Sequence, residues 1–471
     1  MISTSARSYD STYNKAIKRS IETTEEIIQT IQDGNADTII ALSEKYINNS
    51  GIYQRILAYF STFLTNDIFV TPKKVGVKSI KANKYLENYK QAVYFADTTV
   101  NPKLNFPRMT FKMLVYGAYY GLFIPNGDYE ASFKDLPYNY CRTRFKTLQN
   151  IDVVEFDVSY FDTITDKKLQ KMAFDEYPKE FSKAHAAYKK DSNLRWFAVP
   201  AEMGLAFYFH NPDRPFFIST IPAISSLNDY KKLEKNLDKQ DLERIIVQKI
   251  PVDKEGNFML DTTEAMEMHR GVVAMLANSP NIDIITTFAD LTLLGTGDKT
   301  KADRDNLEKI ERSVFNEAGV SRLLFSSDSA SALDASINND ASFVMSLSEQ
   351  YSNWLTYQLN LRYSESGKFF FEAAILPLSL YNKKDMLDLY LKSAQFGYSK
   401  IIVAIASGLK QSAFLDIIEL ENEILGLQEK MVPLQSSNTT AGTDVAAESG
   451  GRPEKDLKNK SDKTIDNKES L

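Results

Sequence analysis

Apolar residues recur every three to four positions through the first seventy residues of the chain, so residues 15–70 are expected to be helical. Ile21, Ile27, Ile28 and Ile31 share one face, and SGIYQRILAYFSTFLTNDIFV carries apolar groups almost all round, the pattern of a buried helix. From Phe106 the run FPRMTFKMLVYGAYYGLFI starts at helical spacing, and Gly117 and Gly121 are expected to break it into aromatic, strand-like pieces. The segments LPYNYCRTRF, NIDVVEFDVSYF, RWFAVP and GLAFYFH are short, β-branched or aromatic, and separated by turn formers, which predicts strands. The N-terminal unit therefore reads as mixed α and β.

Pro222 is expected to end that unit, and Ser226 with Asp229 three residues on resembles a cap opening a helix over LNDYKKLEKNLDKQDLERIIVQK, about 35 Å long. A compact α/β insert follows: IPVDKEGNFML, a helix from Glu264 to Leu276, then the strand-like NIDIITTFADLTLL ending at GTGDKT. A second charged helix, KADRDNLEKIERSVFNEA, stops at Gly319, where a left-handed cap suits glycine. A serine-rich loop leads to a helix over 339–363 (Phe343, Leu347, Tyr351, Trp354, Leu355), a strand at GKFFFEAAILPL, and two or three helices over 382–430. Beyond Pro433 aromatic residues vanish and Ser, Thr, Gly, Asp and Lys dominate, the composition of a disordered tail. The fold class expected is α+β, predominantly helical.

On a helical wheel, 227–249 separates into an apolar stripe of Tyr230, Leu233 and Leu237, an acidic stripe of Glu234, Asp238 and Asp241, and a basic stripe of Lys231, Lys232, Lys235 and Lys239. In the second charged helix Leu307, Ile310 and Val314 form a narrow seam, with Arg304, Glu308, Lys309 and Arg312 around it. Two such helices flanking an insert pair most simply antiparallel, seam to seam, holding the insert at the far end. The charged stripes fit ordinary solvated faces with i,i+4 pairs, and they also fit the two complementary surfaces that a head-to-tail ring requires.

Charge narrows the possible partners. With 56 basic against 62 acidic residues in 471, the net charge of -6 gives no global positive field, so any contact with nucleic acid is local or weak. Cys141 is the only cysteine, which leaves no intrachain disulfide and suits a reducing compartment. No secretory leader or membrane-length apolar run stands in the sequence, so a soluble, intracellular protein is expected.

Candidate chemistry is thin. GTGDKT at 295–300 departs from a phosphate-binding loop because Asp298 separates the glycine from the lysine. His185, His210 and His269 stand in separate elements without metal-ligand spacing. Glu155, Asp157 and Asp162 could suggest a nuclease metal cluster, but Glu155 and Asp157 alternate with Val154, Phe156 and Val158 as one solvated strand face does. Arg142 and Arg144 beside Cys141 could lower its pKa, while core packing is the simpler role for that thiol. No enzymatic activity, metal or cofactor is expected.

The order of these elements is similar to that of the portal proteins of tailed bacteriophages. Collinear strings carry the resemblance: SGIYQRILAYFSTFLTNDIFVTP, LVYGAYYGLFI, LPYNYCRTRF with VVEFDVSYFD, VFNEAGVSRLLFS, and the tail SGGRPEKDLKNKSDKTIDNKES. None is a chemical signature; their weight lies in their order along nearly the whole chain. The resemblance implies a flexible start over 1–14, a wing over 15–224, stem helix 225–249, clip 250–300, stem helix 301–319, tunnel loop 320–338, a long helix and wing return strand over 339–381, a short crown over 382–432 and a tail over 433–471. It implies a homo-oligomeric ring, commonly a dodecamer, at one capsid vertex of the virion, assembled in the host cytoplasm. Double-stranded DNA would pass through it during packaging and ejection, and terminase, capsid or scaffold proteins and later a head-tail adaptor would be partners, with no membrane.

Within that resemblance, Arg322, Ser326, Ser327, Ser329 and Ser331 would face DNA. Small hydroxyls exchange hydrogen bonds with phosphates without the affinity that dense lysine adds at each phosphate. Stem residues Lys231, Lys232, Lys235, Lys239, Glu234, Asp238, Asp241, Arg304, Lys309 and Arg312 would face a neighbouring subunit or the channel. The alternatives are another phage head or adaptor protein, and a metal-dependent nuclease or hydrolase with a dispersed site.

Overall fold

The computed structural model describes residues 23–74, 82–127, 130–209, 211–242, 244–249, 259, 261–276, 282–287, 301–320, 333–364 and 369–427. In chain order these form α1 (Thr24–Asp33), α2 (Ala36–Asn49), α3 (Gly51–Ser61), β1 (Ile68–Lys74), α4 (Ala82–Tyr94), α5 (Pro102–Tyr116), β2 (Ala118–Asn126), β3 (Glu130–Asp135), β4 (Cys141–Lys146) and β5 (Asp152–Asp157). There follow α6 (Lys167–Glu176), α7 (Lys179–Tyr188), β6 (Trp196–Ala198), β7 (Gly204–Tyr208), α8 (Ile221–Leu242), β8 (Arg244–Lys249), α9 (Thr262–Leu276) and β9 (Ile282–Thr287). The last are α10 (Lys301–Glu317), α11 (Leu333–Tyr363), β10 (Phe369–Ile375), α12 (Lys383–Gln395), α13 (Lys400–Ser407) and α14 (Gln411–Glu419). The fold is α+β and predominantly helical, as the sequence pattern predicts. It divides into two units, Met1–Asp416 and Ile417–Leu471. The described part of the second, residues 417–427, comprises the end of α14, a π-helical turn, Leu420–Ile424, and the three residues after it.

Caps set the first helices. Thr23 and Glu26 form a reciprocal capping box at the start of α1, and Gly34 ends it in the left-handed conformation. Asn35 opens α2, and Ser50 both closes α2 and caps α3, so three helices turn sharply on each other. Their buried faces, Ile27, Ile39, Leu42, Tyr53, Ile56, Leu57 and Phe60, enter the main core.

The centre of that core is α11, 31 residues and about 46 Å long. Its Trp354 meets the rings of Phe106, Phe123, Phe133 and Phe207. Trp354 Nε1 is buried with no hydrogen-bond partner. An unmade bond costs about 1–3 kcal/mol, whereas burying a ring of this size contributes on the order of 5 kcal/mol, so packing wins.

Gly117 must be glycine: its φ is +95°, and a Cβ there would lie 2.6 Å from the Pro212 carbonyl oxygen. The chain leaves α5 there and enters β2, the middle strand of an antiparallel sheet ordered β3-β2-β7. Gly121, expected as a break, continues the strand instead. A Cβ on it would sit 2.6 Å from the Tyr119 hydroxyl, so the glycine admits the neighbouring ring rather than ending the element. Alternate residues of β2 feed two cores. Tyr119 and Phe123 enter the main core, while Ala118, Tyr120 and Leu122 enter a second one.

The second core is closed by the antiparallel sheet β4-β5-β6 and by α6 and α7, through Val154, Phe156, Phe161, Tyr177 and Phe181. Elsewhere β1 and β10, from opposite ends of the first unit's sequence, pair antiparallel from Ile68↔Ile375 to Lys74↔Phe369. A third cluster, Leu376, Leu378, Ile405 and Ala406, seats α12 and α13.

Three expected boundaries shift. Helix α8 starts at Ile221, because Pro222 stands in the first turn, where its missing N–H costs nothing. The expected stem helix over 225–249 ends at Leu242, and Arg244–Lys249 is a strand, since Ile245, Ile246 and Val247 favour the pleated surface on which they pair. The expected tunnel loop over 320–338 is cut short, because α11 already begins at Leu333 and is anchored by burying Ile337 and Asp340.

Candidate functional site

Two helices far apart in sequence, α8 and α10, pack on each other and root in the main core. On α8 the residues Ile221, Ile224 and Leu227 are buried; on α10 Val314 is buried, Ala318 just beyond its end is buried too, and Ile310 packs against the core. The end of α10 also meets the short helix Ile218–Thr220 that precedes α8, so the pair runs antiparallel. Lys231 Nζ bridges to Glu311 Oε1 at 3.3 Å across the two helices. Between them the chain forms β8 and β9, paired parallel from Arg244↔Ile282 to Lys249↔Thr287, with α9 as the crossover that a parallel pair requires. Helix α9 leaves Met266, Met268 and Val273 exposed.

The expected apolar stripe of α8 needs correction. Leu233 is 55% exposed, while Tyr230 and Glu234 are half-buried. The buried face follows Ile221, Ile224 and Leu227 and then passes through Tyr230 to Glu234, a drift that leaves Leu233 outside. Of the basic stripe, Lys231 pairs with Glu311, Lys232 pairs with Asp229 at 3.1 Å one turn before it, and Lys235 is exposed. Lys309 and Arg312 are exposed on α10. The side chains of Asp238, Lys239, Asp241, Leu237, Arg304 and Leu307 lie outside the described residues, as do Arg322, Ser326, Ser327, Ser329 and Ser331, GTGDKT and His210.

The strand face of β5 is not solvated. Glu155 is 6% exposed and Asp157 2%. Arg142 Nε and Arg144 Nε each donate to Glu155 Oε2 at 2.7 Å, and Arg144 Nη2 donates to Oε1 at 3.0 Å. The Arg144 hydrogen bonds foremost, against the upward push of burial and with help from Arg142, hold the Glu155 carboxyl below the usual carboxylate range. Burial pushes Asp157 up, but Arg195, with Nε at 2.7 Å from Oδ2, and the Ser159 donors outweigh it and hold that carboxyl low as well. Alternation gave the right face; the missing element was the row of arginines on the neighbouring strands. Asp162 accepts from His185 Nε2 at 2.9 Å and pairs with Lys189 at 2.7 Å. These carboxylates are occupied by cationic side chains, an arrangement that ties strands and helices together. Among the described residues no group of three or more His, Cys, Asp or Glu is placed to hold a metal ion.

Cys141 packs against the second core, and burial pushes its thiol up, which opposes thiolate chemistry. His269 is half-buried on α9. Among the described residues no single helix is long and apolar enough to cross a membrane. A cavity of about 510 Å³ between α4, the end of α11 and α14 joins three distant segments, and the sequence carried no signal of it beyond scattered basic residues. No protein-family model and no curated protein matches the chain.

Proposed function

We propose that the chain is a subunit of a tailed-bacteriophage portal, a ring at one capsid vertex through which double-stranded DNA enters and leaves. The observation that carries the reading is the antiparallel pair α8 and α10, rooted in the main core and separated by a small parallel α/β module. That arrangement suits a stem with a clip at its far end. The surrounding order supports it: a mixed α/β unit before the pair, Gly319 in the left-handed conformation after it, a 31-residue helix, and a return strand that pairs with β1.

In this reading α8 and α10 each bury one face in their own subunit and offer charged faces to a neighbour or to the channel. Lys235, Lys309 and Arg312 are exposed cations on those faces. Lys231 and Lys232 are partly neutralised by Glu311 and Asp229, and the net charge of -6 supplies no global positive field to grip a DNA backbone. A conduit needs that weakness, because each tightly held phosphate would resist sliding. The exposed Met266, Met268 and Val273 of the clip suit adaptable contacts with successive partners, terminase first and the head-tail adaptor later.

The test is direct imaging. The purified full-length protein, negatively stained, is expected to form rings with a central hole. A population of monomers or irregular sheets across a range of concentration and salt would overturn the reading.

A further inference from the structure

The cavity of about 510 Å³ has the size of a small-molecule site. Lys84 and Lys90 on α4 and Arg362 near the end of α11 bring three positive charges to its lining, against one carboxylate, Asp416 on α14. Tyr94 and Tyr363 add two aromatic rings.

Arg362 is the unusual member. Its guanidinium lies 4.9 Å from the ring centre of Phe95 and 5.3 Å from that of Phe123. Its Nη1 donates to the Gln358 carbonyl oxygen at 3.1 Å and to the Gln358 side-chain oxygen. Gln358 is fully buried and donates its own amide to the Glu202 carbonyl oxygen at 3.1 Å, so its oxygen is turned toward Arg362. Among the described residues, no carboxylate lies within ion-pair distance of Arg362, and its Nε and Nη2 make no hydrogen bond. Burial pushes its pKa down. The carbonyls at the end of α11, and the Glu202 carboxylate beyond ion-pair distance, supply part of the balancing negative charge. They do not match the planar, forked donor set that guanidinium presents to a phosphate or carboxylate. The Ser412 amide in the first turn of α14 is not the anchor, because it already donates to Asp97 at 2.8 Å.

We propose that this cavity binds a nucleotide-sized, phosphate-bearing small ligand, with the phosphate on Arg362 between Lys84 and Lys90 and the ring system against Tyr94 and Tyr363. The site lies away from α8, α10 and their insert, and the proposal stands independently of the portal reading.

Isothermal titration of the full-length chain with ATP, without added metal, tests it. Saturable binding is expected, with inorganic phosphate competing. Arg362→Gln should weaken ATP on the order of tenfold or more, and the double variant Lys84→Gln/Lys90→Gln should weaken it several-fold with a shallower salt dependence. Circular dichroism reports whether Arg362→Gln still folds; if it does not, the lysine variant decides. Absence of ATP binding to the folded wild type, or unchanged affinity in the folded variants, overturns the proposal. Binding of a short DNA duplex that is lost in the variants, with no ATP binding, also overturns it, in favour of a backbone-phosphate contact.

Discussion

Glu155 carries two guanidinium groups on one buried carboxylate. Taking such a carboxylate out of water costs several kcal/mol, and the arrangement holds only because Arg142 and Arg144 supply three charge-assisted hydrogen bonds and keep their own outer faces in solvent. Arg142 also stacks 3.5 Å from the Trp196 ring centre, so the knot ties β4, β5 and β6 in one row. Glu155→Gln should destabilise the protein by about 1–3 kcal/mol near neutral pH. Because the folded-state pKa is depressed, the stabilisation is complete above the unfolded carboxylate range near ~4 and disappears as pH falls through the lower folded value. Asp97, which burial pushes up despite the donors from Ser412 and Thr98, contributes in the opposite sense, so the difference between wild type and variant isolates the Glu155 share. Thermal melts should therefore show a gap in Tm at about pH 7 that narrows at about pH 3. An equal gap at both would mean the carboxylate is not held by its charge.

The pairing of α8 with α10 rests on buried apolar residues, and Lys231–Glu311 adds a polar cross-link of the half-exposed kind that is worth about 0.2–1 kcal/mol. Lys231→Glu should lower the melting temperature by a small amount, and adding Glu311→Lys should recover most of it. If the double variant melts no higher than the sum of the two single changes implies, the bridge contributes nothing in solution. Much at this scale was legible in the sequence: α10 and its stop at Gly319, the strands β4 to β7, α9, and the alternation that turned Glu155 and Asp157 to one face. The failures have local causes. Leu233 fitted an apolar stripe drawn on charge and hydropathy alone, but the helix is anchored by Ile221, Ile224 and Leu227, and that anchor sets a different face. Pro222 reads equally well as a stop and as a first-turn residue. The Arg362 cavity was not legible because it needs the ends of three segments between Lys84 and Asp416 to meet.

At the scale of the whole molecule, most of the ring-bearing residues of the first unit are committed to its own cores, so assembly would draw on what is left outside: charged helix faces and scattered exposed side chains such as Leu233, Phe396 and Tyr398. Association through such surfaces is salt-sensitive, and the rings expected on imaging should loosen as ionic strength rises. The two cores themselves share a wall, since β2 sends Tyr119 and Phe123 one way and Tyr120 and Leu122 the other. Melting either side strips that wall of half its support. The two cores should therefore be lost in a single cooperative transition, and the amide protons of β2 should be among the slowest in the chain to exchange with deuterated water, released only when the whole unit opens. Two resolved transitions, or β2 amides that exchange as fast as those of α6, would separate the cores. If the wall holds, a fragment cut between them inherits an exposed apolar sheet face and should aggregate rather than fold, so the unit is indivisible by truncation even though its hydrophobic clusters are distinct.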